Sequence, residues 1–208
     1  MLFAHPTDPA QARAVWIRDL TILALAIGGF LLLFLGHRPL AVPSEARYAE
    51  LAREMISTGD WITPRINGIK YFEKPALFYW IEAAAVGLLG LSEFALRLTT
   101  ALFSLAGCLL AYVAGRKLFD RTTGILAATI LASTLLWFAL SRVILLDVPV
   151  GVFLSLSVLA FLFAVREETG SRARSVWLYT MYVAAAAATL TKGLIGIVLP
   201  GLVIGAWI

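Results

Sequence analysis

Apolar runs long enough to cross a bilayer recur along this 208-residue chain, at about 20–36, 94–115, 122–140, 148–165, 176–190 and 194–208. Most are close to the roughly 20 residues that carry a helix across about 30 Å of hydrocarbon. Inside hydrocarbon a chain must satisfy its own backbone, and short uncharged runs of this kind do so as helices. The expected fold is therefore an all-α multi-span membrane protein. With 61% hydrophobic and 14% charged residues and a mean hydropathy of +0.88, an ordinary soluble domain is excluded. The net charge of +4 is modest. It reads as membrane-topology charge, and the polar loops lack the dense basic patch that nucleic-acid binding needs. The lone Cys108 lies in an apolar run and leaves the redox compartment undetermined.

Asp8, Arg13, Arg18 and Asp19 precede the first run, and no small-residue cleavage pattern follows it. That run is expected to be its own insertion signal, with 1–19 as a cytoplasmic N-terminus. The chain stops at Ala206-Trp207-Ile208 inside an apolar run. Residues 20–208 are thus expected to be a partial transmembrane domain, the N-terminal part of a longer protein.

The segment 76–91 decides the topology. It is apolar, but only about 16 residues long, with Pro75 before it and Glu82 in its middle. If it crosses, the turn Arg116-Lys117-Leu118-Phe119-Asp120-Arg121 and the loop holding Arg166, Arg172 and Arg174 both fall outside. If it lies at the interface or re-enters, both join Arg13 and Arg18 on the cytoplasmic side, as the positive-inside bias demands. It is read as a juxtamembrane or re-entrant helix. An external loop of about 37–93 follows, with Arg97 just beyond it. Asp147 and Lys192 then share that face.

In this external strip, Pro43-Ser44 followed by 45–57 predicts a helix, with Ser44 as N-cap candidate, Glu45 in the first turn and Gly59 as the stop. Glu50, Arg53 and Glu54 read as local ion pairs on an interfacial helix. Gly59 to Gly68 reads as an extended loop with turn chemistry at both ends. Trp61, Tyr71 and Phe72 suit interface anchoring. Glu73 and Lys74 form a local pair, or Lys74 holds a lipid phosphate. Asp147, at the mouth of a span, needs a partner or a use, and Arg142 is a candidate partner. Lys192 and Arg97 have bland readings as a snorkelling lysine and a span anchor.

The ordered series Glu45-Ala46-Arg47-Tyr48-Ala49-Glu50, Gly59-Asp60-Trp61, Asn67-Gly68, Tyr71-Phe72-Glu73-Lys74-Pro75-Ala76-Leu77, Ser92-Glu93-Phe94-Ala95-Leu96-Arg97, Leu146-Asp147 and Thr191-Lys192-Gly193 resembles the lipid-dependent C-type membrane glycosyltransferases. It is similar to the bacterial 4-amino-4-deoxy-L-arabinose lipid A transferases and the protein O-mannosyltransferases. The resemblance covers about 20–200. It implies a C-type glycosyltransferase transmembrane domain, here partial, with juxtamembrane helices in its first external loop. It also implies a polyprenyl-phosphate-linked sugar as donor, and transfer on the periplasmic face of the bacterial inner membrane. The family's first motif commonly begins Asp-Glu, with the Asp as expected catalytic carboxylate. Here the pair is Ser44-Glu45.

Transfer from a polyprenyl phosphate needs a base for the acceptor and cations for the departing phosphate. Glu45 is the candidate base, supported or replaced by Asp147. Arg47, Lys74 and Lys192 are the candidates for the phosphate, with Glu73, Arg97, Arg142 and Tyr71 in support. The expected partners are that donor, a lipid A-like or other envelope acceptor, and membrane lipids. No cofactor is required by the scheme. Glu73 with a later histidine could hold a divalent metal, but no ligand cluster stands in the sequence. The alternatives are a lipid or sugar transporter and a non-catalytic subunit that docks through its external loop.

Overall fold

The computed structural model describes residues 9–41 and 43–207. The first eight residues of the expected cytoplasmic segment (Asp8 among them), Val42, and Ile208 of the last expected span lie outside the described residues. In chain order the helices are α1 (Pro9–Leu32), α2 (Ser44–Thr58), α3 (Leu77–Leu89), α4 (Glu93–Leu118), α5 (Arg121–Ser133), α6 (Leu135–Ser141), α7 (Asp147–Ala164), α8 (Arg172–Lys192) and α9 (Ile195–Trp207). Between α2 and α3 a short ribbon pairs β1 (Arg65–Ile66) with β2 (Ile69–Lys70).

Side-chain caps start three of the helices. Ser92, Asp120 and Ser171 accept from the backbone amides of Ala95, Thr123 and Arg174 at the heads of α4, α5 and α8, satisfying donors that a helix N-terminus leaves open. α2 departs from expectation: Pro43 holds the cap position and no side chain caps it, because Ser44 is already the first helical residue. Gly59 ends α2 as expected, with φ 70° and its amide bonded to Met55. The segment read as an extended loop contains the ribbon. Asn67 and Gly68 turn it with φ 51° and 77°, the two positive values that a tight two-residue hairpin demands.

Among the described residues three helices are long and apolar enough to cross a membrane: Ala10–Leu32, Glu93–Leu118 and Asp147–Ala164. The run at 122–140, expected as one span, is instead α5 and α6 bent by 65° at Thr134. α8 falls short on hydropathy, yet it lies along α7 and its Lys192 meets Asp147 at the head of α7, so it runs the same depth. The helix holding the first span starts well before residue 20 and stops at Leu32.

Contacts at the two ends of α4 orient the bundle. At one end Arg97 donates to the carbonyls of Leu35, Arg38 and Pro39, just past α1. At the other, Arg116 bonds Asp19 of α1 at 2.9 Å, and Arg121 joins the same carboxylate at 2.6 Å. From Arg97 to Arg116 is about 28 Å of helix at about 1.5 Å per residue, close to the roughly 30 Å of a hydrocarbon core. The segment between α1 and α4 therefore leaves and returns at one end of the bundle, and α3 does not carry the chain across. Arg18 and Lys117, the latter stacked 4.7 Å from the Trp177 ring, lie at the Asp19 end.

Two cores follow from this layout. Leu51, Ala52 and Met55 of α2 and Phe78, Tyr79 and Val86 of α3 pack with Leu96, Ile144 and Leu146 over the Arg97 end. Leu23, Ile27 and Leu31 of α1 pack with Cys108, Tyr112, Ala128 and Ala132 along the bundle. Single cysteines at Ser57, Ser92 and Ser171 test the arrangement with an impermeant thiol reagent. The first two will label from one side of sealed vesicles and the third from the other; opposite labelling of Ser57 and Ser92 would require α3 to cross.

Candidate active site

Glu45 sits in the first turn of α2 and is fully buried. Its Oε1 accepts from Arg97 Nε at 2.9 Å and from the Ile144 amide at 3.1 Å. Its Oε2 accepts from Arg97 Nη2 at 3.0 Å, Arg38 Nη2 at 3.0 Å and the Ala41 amide at 2.7 Å. Arg97 is buried too, and its remaining N–H groups go to Leu35, Arg38 and Pro39 at 3.2, 2.6 and 2.9 Å. All five guanidinium N–H donors are used. Burial alone pushes the Glu45 carboxyl up, but the Arg97 bond and the Ala41 and Ile144 amides outweigh it and hold the group below the usual carboxylate range. A carboxylate so saturated is a poor proton acceptor and touches no open surface. Ser44, where the related motif carries an acid, is exposed.

Above this buried pair lies an open charged edge. Arg47, in the same first turn of α2 but on its opposite side, reaches Glu73 at 3.4 Å and the Tyr71 hydroxyl at 3.4 Å. The Tyr71 hydroxyl donates to Glu73, and Lys74 stands 3.7 Å from the same carboxylate. The Tyr71 bond, then the nearby cations, hold Glu73 ionised below its ordinary range. Glu73 is half exposed, with Arg47 42% and Lys74 32% exposed at their side chains, so both cations face outward.

Asp147 opens α7, where a helix N-terminus favours negative charge, and it pairs with Lys192 at the end of α8. Tyr48 links the two groups. Burial pushes its phenol up, and Tyr71, Glu73 and Asp147 add to that while Arg47 opposes it. The expected Arg142–Asp147 contact is not formed. Arg142 turns to the end of α1, donating to the carbonyls of Leu31 at 3.2 Å and Leu33 at 2.6 Å with its guanidinium 5.1 Å from the Phe138 ring. Bare helix-end carbonyls are good acceptors for arginine.

Of the residues singled out in the sequence, Arg47, Tyr71, Glu73 and Lys74 come together as one edge and Asp147 with Lys192 as its neighbour. Glu45 and Arg97 form the support beneath. Arg38 and Tyr48 were not singled out for a role. Arg38 gives little signal, since a basic residue after a span is ordinary, whereas Tyr48 stands inside the Glu45–Glu50 motif. Among the described residues no group of three or more His, Cys, Asp or Glu is placed to hold a metal ion.

Removing one member of a buried ion pair strands the other, at a cost of about 3–5 kcal/mol. Arg97→Met is expected to lose that much in denaturant unfolding of the protein in lipid nanodiscs, and a loss below about 1 kcal/mol would deny the pair its supporting role. Because the Glu45 carboxyl is held low in the folded state, its contribution is present at neutral pH and fades as pH falls through the folded value. Glu45→Gln will remove that part of the acid sensitivity.

Comparison with known proteins places the chain in a family. Residues 39–208 match the family model for dolichyl-phosphate-mannose-protein mannosyltransferase. Curated relatives include an undecaprenyl phosphate-alpha-4-amino-4-deoxy-L-arabinose arabinosyl transferase from Sodalis glossinidius, 33% identical over 89% of this chain and 34% of its own length. Its counterpart from Aeromonas salmonicida is 36% identical over 84% of this chain and 32% of its own length. The crystal structure of ArnT from Cupriavidus metallidurans bound to undecaprenyl phosphate matches with a TM-score of 0.81 and 33% identity, over 93% of this chain and 35% of that one. This chain thus spans about a third of the length of the relatives it matches. It has the C-type glycosyltransferase membrane fold, and it belongs to the dolichyl-phosphate-mannose-protein mannosyltransferase family.

Proposed function

We propose that the protein takes part in moving a sugar from a polyprenyl-phosphate carrier to a lipid A-like or other envelope acceptor, on the periplasmic face of the bacterial inner membrane. The observation that carries this reading is the outward-facing pair Arg47 and Lys74, held beside Glu73 and Asp147–Lys192 at one end of the bundle. The similar ArnT fold holds undecaprenyl phosphate. The orientation, with the N-terminus cytoplasmic, is supported by the basic turns gathered at the Asp19 end.

Within this reading Asp147 is the base and Glu45 is a positioning residue. Asp147 is 53% exposed at its side chain, whereas Glu45 is sealed and saturated. An acceptor hydroxyl attacks the anomeric carbon as the bond from that carbon to the phosphate oxygen breaks. The phosphate leaves with the bonding electrons as polyprenyl phosphate, the hydroxyl proton passes to Asp147, and the anomeric centre inverts. Arg47 and Lys74 meet the charge that grows on the phosphate, with Lys192 completing the cationic wall from the Asp147 side. Tyr71 and Glu73 hold Arg47 and Lys74 in place.

Native-length protein in nanodiscs, given a labelled polyprenyl-phosphate sugar and lipid A, tests the assignment. Asp147→Asn is expected to lower the transfer rate by about 10²–10⁴-fold while leaving undecaprenyl phosphate binding within about twofold. Lys74→Ala is expected to weaken that binding about tenfold, the scale of one charge-assisted contact. Full transfer by Asp147→Asn, with loss in a stably folded Glu45→Gln, would return the base to Glu45.

A further inference from the structure

Glu82 lies at the centre of α3 and is fully buried, yet neither of its carboxyl oxygens has a hydrogen-bond partner among the described residues. It shares the inward face of α3 with Phe78, Tyr79, Ala83 and Val86. Tyr79, three residues earlier, is also sealed with its hydroxyl unpartnered. Thr99 of α4, which borders a cleft with Ile81 and Ala85, is a second buried hydroxyl without a partner. The packing leads from Tyr79 to the charged edge: Tyr79 stacks on Tyr48 with ring centroids 6.1 Å apart, and Tyr48 and Tyr71 both pack on the same core.

Among the described residues no cation is paired with Glu82. From α2 the facing groups are Glu45 and Tyr48, and from α4 Arg97, whose five N–H groups are all committed elsewhere. Tyr71 and Glu73 stand before α3, already tied to each other. Lys192, the charged group at that end of α8, is held by Asp147. An ionised carboxylate in such surroundings is very costly, while a neutral carboxylic acid is tolerable.

We propose that Glu82 is a positioning residue, carried as an uncharged acid that lets α3 seat on α2 and α4, and that its ionisation releases α3 from beneath the Arg47–Tyr71–Glu73 edge. Burial first, and the charge of Glu45 second, push its carboxyl well above the ordinary glutamate range. The sign follows from linkage: the seated state is fully favoured at low pH and loses stability as pH rises through the folded value. The opening constant grows by up to about tenfold per pH unit between the ordinary glutamate range, which applies once α3 is released, and the raised folded value, and levels off above it. The consequence for the phosphate-holding edge rests on the function proposed above, but the test does not.

Amide exchange of the full chain in nanodiscs, corrected for intrinsic rates, is followed from about pH 6 to about pH 9. Protection of α2 and α3 is expected to fall with rising pH in the native protein, by up to about tenfold per unit, and to stay level in Glu82→Gln and Glu82→Leu. A flat native profile, or the same decline in both variants, overturns the proposal. Infrared difference spectra of the native protein give a reading that needs no variant. A protonated carboxyl band at neutral pH supports the proposal and its absence overturns it. If both readouts agree and undecaprenyl phosphate does not bind at any pH, the functional reading fails and the role of Glu82 in seating α3 stands.

Discussion

A guanidinium stripped of water must find an acceptor for each of its N–H groups, and a buried carboxylate must find donors. Arg97 and Glu45 meet these demands in each other and in the backbone around them. The pair joins four pieces of chain: the exit from α1, the head of α2, the head of α4, and the turn before α7. The α2, α4 and Ile144–Leu146 pieces also share one apolar core, and the ion pair fixes the register in which they meet. The Coulomb attraction is set against heavy desolvation of both charges, so the geometry matters more than the energy. Without it the charged edge above would have no fixed floor.

The edge shows a division of labour. Glu45 and Arg97 are saturated, buried and chemically quiet. Arg47, Lys74 and Asp147 are partly open to solvent, and under the proposed function a charged substrate replaces their partners. Tyr48 and Tyr71 lie between the two layers. Adjacent residues of one motif thus serve opposite purposes: the first turn of α2 directs Glu45 inward and Arg47 outward, because two residues advance a helix by about 200°.

Much of this was legible in the sequence, for identifiable reasons. The non-crossing α3 followed from Pro75, the shortness of 76–91 and the positions of the basic turns, since each crossing reverses which loops are cytoplasmic. The Arg47, Glu73 and Lys74 group stood out as charge beside a span. Less could be read where the outcome depended on distant backbone. The carbonyls of Leu31 and Leu33 captured Arg142, so nearness in sequence to Asp147 misled. The break at Thr134 had no Pro or Gly to announce it. The inward turn of Glu45 depended on amides at Ala41 and Ile144, which no side-chain pattern reveals. Ser44 in place of an acid drew attention to Glu45 as a base, whereas under the proposed function its saturated surroundings suit support.

The central claim is that Glu45 acts through Arg97, and a double-mutant cycle of Glu45→Gln and Arg97→Gln on unfolding in nanodiscs tests it most directly. Each single change strands a buried charge that the double change removes. The cycle is therefore predicted to give a coupling energy of about 3 kcal/mol, at the upper end for residues in contact. Additive effects, with a coupling below about 0.5 kcal/mol, would contradict the account.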